Sequence, residues 1–150
     1  MADAVAIRPA KPADYDRVAE IWLAGWLSTG LSVDNDPSVA DLRARIDTDL
    51  GKGWTLTVAT AGENIVGMLA TYPAKLDQLL LDPEWRGRGV GKSLFAEAKR
   101  LMPGGFTLWA NVANDRARGF YERQGMALTG VGPRPDKPEQ IVAHYRWSAE

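Results

Sequence analysis

Apolar residues alternate with polar or small ones along residues 54–60 and again along 65–72, and Gly62-Glu63-Asn64 separates the two runs. Period-two alternation on either side of a turn predicts a β-hairpin. A third strand is expected over 75–81, and Val5 and Ile7, alternating ahead of Arg8-Pro9, predict a short opening strand. Helical spacing fills the stretches around these strands. Pro12 opens a segment with Val18, Ile21, Trp22, Gly25 and Trp26 on one side, expected to end near Gly30. Asp36 followed by Pro37 reads as an N-cap with Pro at the first helical position, leading a helix with Val39, Leu42, Ile46 and Leu50 up to Gly51. Leu94, Ala98 and Leu101 mark a helix over 91–102, stopped by Pro103-Gly104-Gly105. A short strand then leads to Asn114, a good cap for a helix whose Ala113, Ala117, Phe120 and Tyr121 share a face and whose stop is Gly125. A strand over 126–131, a Pro-rich loop over 132–138 and a strand over 140–147 complete the chain. The order β-α-α-β-β-β-α-β-α-β-β describes a mixed α/β sheet and argues against a regular doubly wound repeat. With no linker, repeat or low-complexity tract, one domain over residues 1–150 is expected.

Composition narrows the chemistry. The net charge is −1, so a broad nucleic-acid or polyanion surface is not indicated. The chain has no cysteine, which removes disulfides, zinc–thiolate sites and a cysteine acyl-enzyme; no metal is expected. His144 is the one histidine, and no G-x-S-x-G elbow accompanies it. The N-terminus lacks a basic segment followed by an apolar one, and no apolar run reaches membrane-span length. The expectation is a cytoplasmic protein without membrane attachment.

One segment concentrates candidate chemistry. The apolar run Leu79-Leu80-Leu81 meets a turn at Asp82-Pro83, and a basic loop, Arg86-Gly87-Arg88-Gly89-Val90-Gly91-Lys92, opens directly into an amphipathic helix. Glycines let backbone N–H groups approach a ligand closely, and a helix start adds free donors and partial positive charge. Together they make a phosphate cradle. Three patterns compete. The P-loop G-x-x-x-x-G-K-[ST] finds Gly91-Lys92-Ser93 but has Arg86 where its first glycine belongs. The dinucleotide fingerprint G-x-G-x-x-G finds Gly87 and Gly89 but has Lys92 at its last position. The pattern R/Q-x-x-G-x-G/A fits in full as Arg86, Gly89 and Gly91.

Here the chain resembles the GNAT superfamily of acetyl-CoA-dependent N-acyltransferases. A second segment strengthens the resemblance: Asn114, Ala117, Phe120, Tyr121, Glu122 and Gly125 match the family's N-x-x-A-x-x-F/L-Y-E-x-x-G-F motif, with Met126 replacing the final aromatic. The resemblance covers residues 54–147 well and the N-terminal third in outline. It implies a mixed, mostly antiparallel central sheet flanked by helices. It further implies that Leu79, Leu80 and Leu81 pair their backbone with the pantetheine arm of coenzyme A. The loop Arg86 to Gly91, with Gly87, Arg88, Gly89 and Val90, would hold the pyrophosphate together with Lys92. Asn114 would hydrogen-bond the cofactor arm, and the Tyr121 phenol would point at the thioester sulfur as general acid. The implied reaction moves an acetyl group from acetyl-CoA to a primary amine of a small molecule or peptide, directly within a ternary complex. Many family members carry a Glu on the strand before the second motif; Trp109 stands there instead, and Asp77 or a water chain is the alternative base. Trp26, Tyr72, Asp77 and Trp109 are candidates to line the acceptor pocket. A homodimer is left open. The reading from another class is a non-catalytic CoA-binding or regulatory module of the same fold.

Overall fold

The computed structural model describes residues 5–28 and 37–149. A seven-stranded sheet runs through the molecule in the order β1-β2-β3-β4-β5-β7-β6. Its strands are β1 (Ala6–Pro9), β2 (Thr55–Ala61), β3 (Asn64–Tyr72), β4 (Lys75–Leu81), β5 (Phe106–Asn111), β6 (Ala127–Arg134) and β7 (Lys137–Trp147). Four helices join them: α1 (Tyr15–Ser28), α2 (Val39–Gly51), α3 (Val90–Leu101) and α4 (Asp115–Arg123). Every strand pairing is antiparallel except β4 with β5. This is the mixed, mostly antiparallel sheet flanked by helices expected above.

Most of the helix faces read from spacing pack, with two exceptions: Val39 at the start of α2 is exposed, and Ala113 is exposed and precedes the Asn114 cap of α4 rather than sharing its face. Val18, Ile21 and Trp22 of α1 and Leu42 and Ile46 of α2 are buried with Val58, Met68 and Ala70 on one side of the sheet. Leu94, Phe95 and Ala98 of α3 and Tyr121 of α4 are buried with Leu108, Ala143 and Tyr145 on the other. Burying an aliphatic or aromatic side chain of this kind is worth roughly 1.5–3 kcal/mol.

Three boundaries differ from expectation. The segment opened by Pro12 begins as a 3₁₀ turn, Pro12–Asp14, and becomes α1 only at Tyr15. Asp14 turns back to accept the Lys11 N–H at 2.9 Å, which closes that turn before the α-helix starts. The proposed cap Asp36 and the expected helix end near Gly30 lie outside the described residues. The α2 cap that is described is Ser38: its hydroxyl accepts the Asp41 N–H at 3.1 Å while the Asp41 carboxylate accepts the Ser38 N–H at 2.9 Å. A reciprocal box satisfies two orphan donors, and Pro37 therefore precedes the cap rather than following it. Finally, residues 132–138 are largely hairpin. β6 continues to Arg134 and β7 starts at Lys137, with a register shift at Pro133/Arg134. Proline is tolerated there because β6 is an edge strand and Pro138 falls where the register slips.

Candidate active site

The sheet opens between β4 and β5. These two parallel strands pair only where they begin, at Lys75 with Thr107, and diverge beyond it. Asp82 donates its N–H to the Val66 carbonyl at 2.9 Å. Alternation back along β4 therefore turns the peptide groups of Leu79 and Leu81 away from β3 and into the gap. On the facing strand Val112 donates to the Ile141 carbonyl at 2.9 Å, so the Trp109 peptide faces the gap from the other side. Two strand edges with unpaired donors and acceptors thus border a cleft of about 840 Å³. Such an edge suits an extended, amide-bearing ligand that adds as a strand does.

The mouth of the cleft is the glycine-rich loop. Asp82 caps the 3₁₀ turn Pro83–Trp85 by accepting the Glu84 N–H at 3.0 Å, and its other oxygen takes Arg17 Nη2 at 2.9 Å. Gly87 and Gly89 have φ of 76° and 84°, a left-handed conformation that side chains disfavour. Gly89 caps α3 with its carbonyl, which accepts the Ser93 N–H at 3.0 Å. The N–H groups of Val90, Gly91 and Lys92 thus start α3 without an intrahelical acceptor. Gly91 serves a different purpose: a Cβ there would meet the Phe120 ring at 3.4 Å, so the glycine lets α3 and α4 approach. No acidic residue occupies the first turn of α3.

Arg86, Gly87, Gly89, Val90, Gly91 and Lys92 all line the cleft. Arg88 does not; its guanidinium lies over the Trp85 ring, 4.7 Å from the centroid. Arg86 donates to the Ser28 hydroxyl at the end of α1. Burial first, and the Arg116 charge second, push the Arg86 pKa down from its ordinary value. Two like charges facing one cleft destabilise each other until an anion sits between them.

Leu79, Leu80 and Leu81 also line the cleft but face opposite ways. Leu79 and Leu81 pack toward α3, while Leu80 packs toward α1. A Cβ on Gly25 would fall 2.7 Å from Leu80 Cδ2, which shows how closely α1 approaches β4. Asn114 caps α4 through Oδ1, which accepts the Ala117 N–H at 3.2 Å. Its amide nitrogen is left to donate toward the cleft it lines. Tyr121 is 8% exposed, with its ring against Phe95, Phe120 and Tyr145. Among the described residues its hydroxyl has no hydrogen-bond partner, and burial drives its pKa far above the ordinary 10.0. Glu122, the next residue of the motif, accepts the Tyr145 O–H at 2.6 Å.

The four acceptor candidates separate. Asp77 and Trp109 line the cleft. Asp77 is an extra residue in β4, since Gln78 pairs with Ala70 and Leu76 with Thr71. The bulge turns its carboxylate toward the α1–α2 side, where it accepts Trp54 Nε1–H at 2.9 Å and lies 3.4 Å from Lys75 Nζ. The Trp109 ring has Arg134 at 4.7 Å and Lys75 at 5.8 Å from its centroid. Tyr72 is elsewhere: its hydroxyl donates to Asp49 at 3.3 Å and it borders a separate hollow of about 130 Å³ with Thr71 and Met102. Trp26 stays half-buried on α1, outside the residues that line the cleft. Gly25, Ser28, Arg116 and Arg123 line it without having been singled out from sequence. Arg116 carried a readable signal, a cation in a helix's first turn where an anion is favoured. The α1 pair carried none, since only tertiary packing brings that helix end to the loop.

A sheet split between two parallel strands, with a cation-flanked helix start at the mouth of the split, fits the fold and cofactor site that the resemblance of the two motifs implies. The family model for the acetyltransferase (GNAT) domain matches residues 52–125, just under half of the chain, and supports its place in the GNAT superfamily of N-acetyltransferases. It is 33% identical over 91 residues to peptidyl-lysine N-acetyltransferase YjaB of Salmonella typhimurium, a match covering 61% of this chain and 62% of that protein. The chain thus spans under two thirds of that relative's length. The solution structure of apo-form YjaB from Escherichia coli superposes with a TM-score of 0.72 at 25% identity, covering 96% of this chain and 97% of the other. An N-acetyltransferase from Thermoplasma acidophilum in complex with coenzyme A superposes with a TM-score of 0.75 at 18% identity, covering 96% and 99%.

Proposed function

We propose that this protein transfers an acetyl group from acetyl-CoA to a primary amine of a small molecule or peptide, by direct transfer in a ternary complex. The observation that carries this reading is the split between β4 and β5, which joins free strand edges to the cation-flanked start of α3. Related folds support the cofactor, since one superposing acetyltransferase is described in complex with coenzyme A. In this reading the peptides of Leu79 and Leu81 pair with the amides of the pantetheine arm, and Asn114 donates to it. The pyrophosphate rests on the N–H groups of Val90, Gly91 and Lys92, with Arg86 and Lys92 neutralising it.

The chemistry places one task on each face of the sheet. The amine nitrogen attacks the thioester carbonyl carbon, and a strand-edge N–H stabilises the developing oxyanion. The C–S bond then breaks, sulfur keeps the bonding pair, and the extra proton on the newly bonded nitrogen leaves to water, so that an amide and the CoA thiolate result. The Tyr121 O–H donates to that sulfur. A phenol held well above its ordinary pKa surrenders its proton reluctantly, so Tyr121 acts by stabilising the thiolate as a hydrogen-bond donor. The attacking amine must first lose a proton, since a lysine-like amine has a pKa of about 10.4. Asp77, on the α1–α2 side of the cleft, is the carboxylate available to pass that proton to water.

The name of the Salmonella relative puts a peptide lysine among the acceptors to try first. Thermal shift with acetyl-CoA, CoA and ATP is the first test. Acetyl-CoA at 100 times its Kd should add about 2.7 kcal/mol of stability, and ATP far less. Equal shifts with ATP, or none with CoA, overturn the cofactor assignment. An amine panel scored by free-thiol release tests turnover; tight CoA binding with no thiol release from any amine favours the non-catalytic module instead.

A further inference from the structure

The cleft holds more positive charge than a pyrophosphate requires. Arg86, Lys92, Arg116 and Arg123 all line it, and none has a carboxylate partner among the described residues. Five arginines elsewhere in the fold do hold a carboxylate: Arg8 with Asp14, Arg17 with Asp82, Arg43 with Asp16 and Asp47, Arg100 with Glu97, Arg134 with Asp136; Arg45 lies over the Trp22 ring and Arg118 bonds the Tyr145 hydroxyl instead. A diphosphate diester carries one charge on each phosphate, which Arg86 and Lys92 at the loop already match. Arg116 and Arg123 remain. They sit seven residues apart on α4, two turns and about 10 Å along one face.

The residue between them explains their arrangement. Gly119 lies inside α4, where glycine is disfavoured relative to alanine. It has no positive φ to justify it. A Cβ at Gly119 would come within 3.1 Å of Arg123 Nη1. The Arg123 guanidinium therefore lies close against the Gly119 backbone, folded back along the helix toward Arg116. Side chains on a helix lean toward its N-terminus, so this direction is the natural one.

We propose that Arg116 and Arg123, flanking Gly119, form a second anion seat that takes the 3′-phosphate of coenzyme A and makes this protein discriminate CoA from 3′-dephospho-CoA. The inference rests on the cofactor reading above. A phosphomonoester carries about −1.5 to −2 charges at neutral pH and presents three acceptor oxygens, which two guanidinium groups suit well. The Asp115 carboxylate, which also lines the cleft, faces the same region and sets a limit on its field. The Arg86 pKa is depressed by burial first and by the Arg116 charge second, and the second cause agrees with cations that share one cleft.

Calorimetry with CoA and 3′-dephospho-CoA at low salt tests this on the intact protein, without any variant that must fold. The expected result is roughly tenfold or greater weakening for the dephospho form. R116Q and R123Q should then bind CoA more weakly and 3′-dephospho-CoA about as before, closing the gap between the two ligands. Equal Kd values for both ligands in the wild type overturn the second seat while leaving the cofactor reading standing. An unchanged preference in the R116Q/R123Q double variant overturns it as well, because the discrimination would lie elsewhere. Failure of both ligands to bind overturns the cofactor reading and the second seat together.

Discussion

Tyr121 lies against Phe95 and Tyr145, and its burial there disfavours the phenolate. Replacing it by Phe preserves the ring contacts and removes the donor. We expect kcat to fall by on the order of 10²-fold, with kcat/KM falling alike and acetyl-CoA affinity nearly unchanged. A variant with wild-type kcat, where chemistry limits the rate, would return Tyr121 to packing alone. The raised pKa also has a stability sign. The folded value exceeds the unfolded one near 10.0, so the contribution is complete below pH 10 and is lost as pH rises from there toward the folded value. Alkaline melting should therefore show wild type losing more stability above pH 10 than Tyr121→Phe does; parallel losses would contradict it. Gly89 and Gly91 answer to different constraints. Gly89→Val should strain a φ of 84° at the α3 start and abolish CoA binding by calorimetry with the fold retained. Gly91→Val should instead push on Phe120 and lower the melting temperature as well. Undiminished CoA affinity in folded Gly89→Val would remove the cradle. These glycines were readable as a spacing. The aim of Asp77 was not, because its bulge is a property of the pairing of β4 with β3 rather than of local sequence. The placing of Tyr72 was equally hidden, since its partner Asp49 belongs to α2.

Elements were legible wherever a face had to be buried. The spacing of Val18, Ile21 and Trp22, and of Leu94 and Ala98, matches sides that pack against the sheet. Legibility faded where proline and glycine dominate. The stretch 132–138 reads as loop by composition, yet an edge strand with a slipped register accommodates its prolines. The split between β4 and β5 left no local mark either, because divergence of two strands is set by what packs on each. The turn after β4 shows how elements hold the mouth of the cleft. Asp82 at once caps Pro83–Trp85 and ties the loop to Arg17 of α1, which in turn donates to the Ile65 carbonyl at 3.3 Å. Asp82→Ala removes both links. Loss of the cap costs about 1 kcal/mol, which for a domain of this size lowers Tm by roughly 2–4 °C. We expect that drop in a thermal melt, together with weaker CoA binding from a loosened loop. A variant with unchanged CoA affinity would show that the loop is held by its glycine conformation alone.

At the scale of the whole molecule, the gap in the sheet makes its two faces chemically unlike. Tyr121, Val90 and the cations of α3 and α4 border the cleft from one side. Gly25, Ser28 and Asp77, the last turned by its bulge toward α1 and α2, border it from the other. Trp109 belongs to this second side, because its neighbours Leu108 and Ala110 point into the α3–α4 core. A thiol ester lying along the strand edges can therefore be reached by an amine from the opposite face while its phosphates still rest on α3. On the proposed direct transfer, neither ligand has to leave before the other arrives. The chain also lacks cysteine, which removes the thiol that could hold the acyl group between two half-reactions. These two facts together predict sequential kinetics. Initial rates measured against acetyl-CoA at several fixed amine concentrations should give intersecting double-reciprocal lines, and desulfo-CoA should compete with acetyl-CoA. Parallel lines, with acetyl-enzyme detectable by intact-mass measurement in the absence of amine, would place an acyl group on a residue of this chain and overturn direct transfer. Intersecting lines, with no mass gain on incubation with acetyl-CoA alone, are the outcome that the proposed direct transfer predicts from the open sheet and the missing thiol.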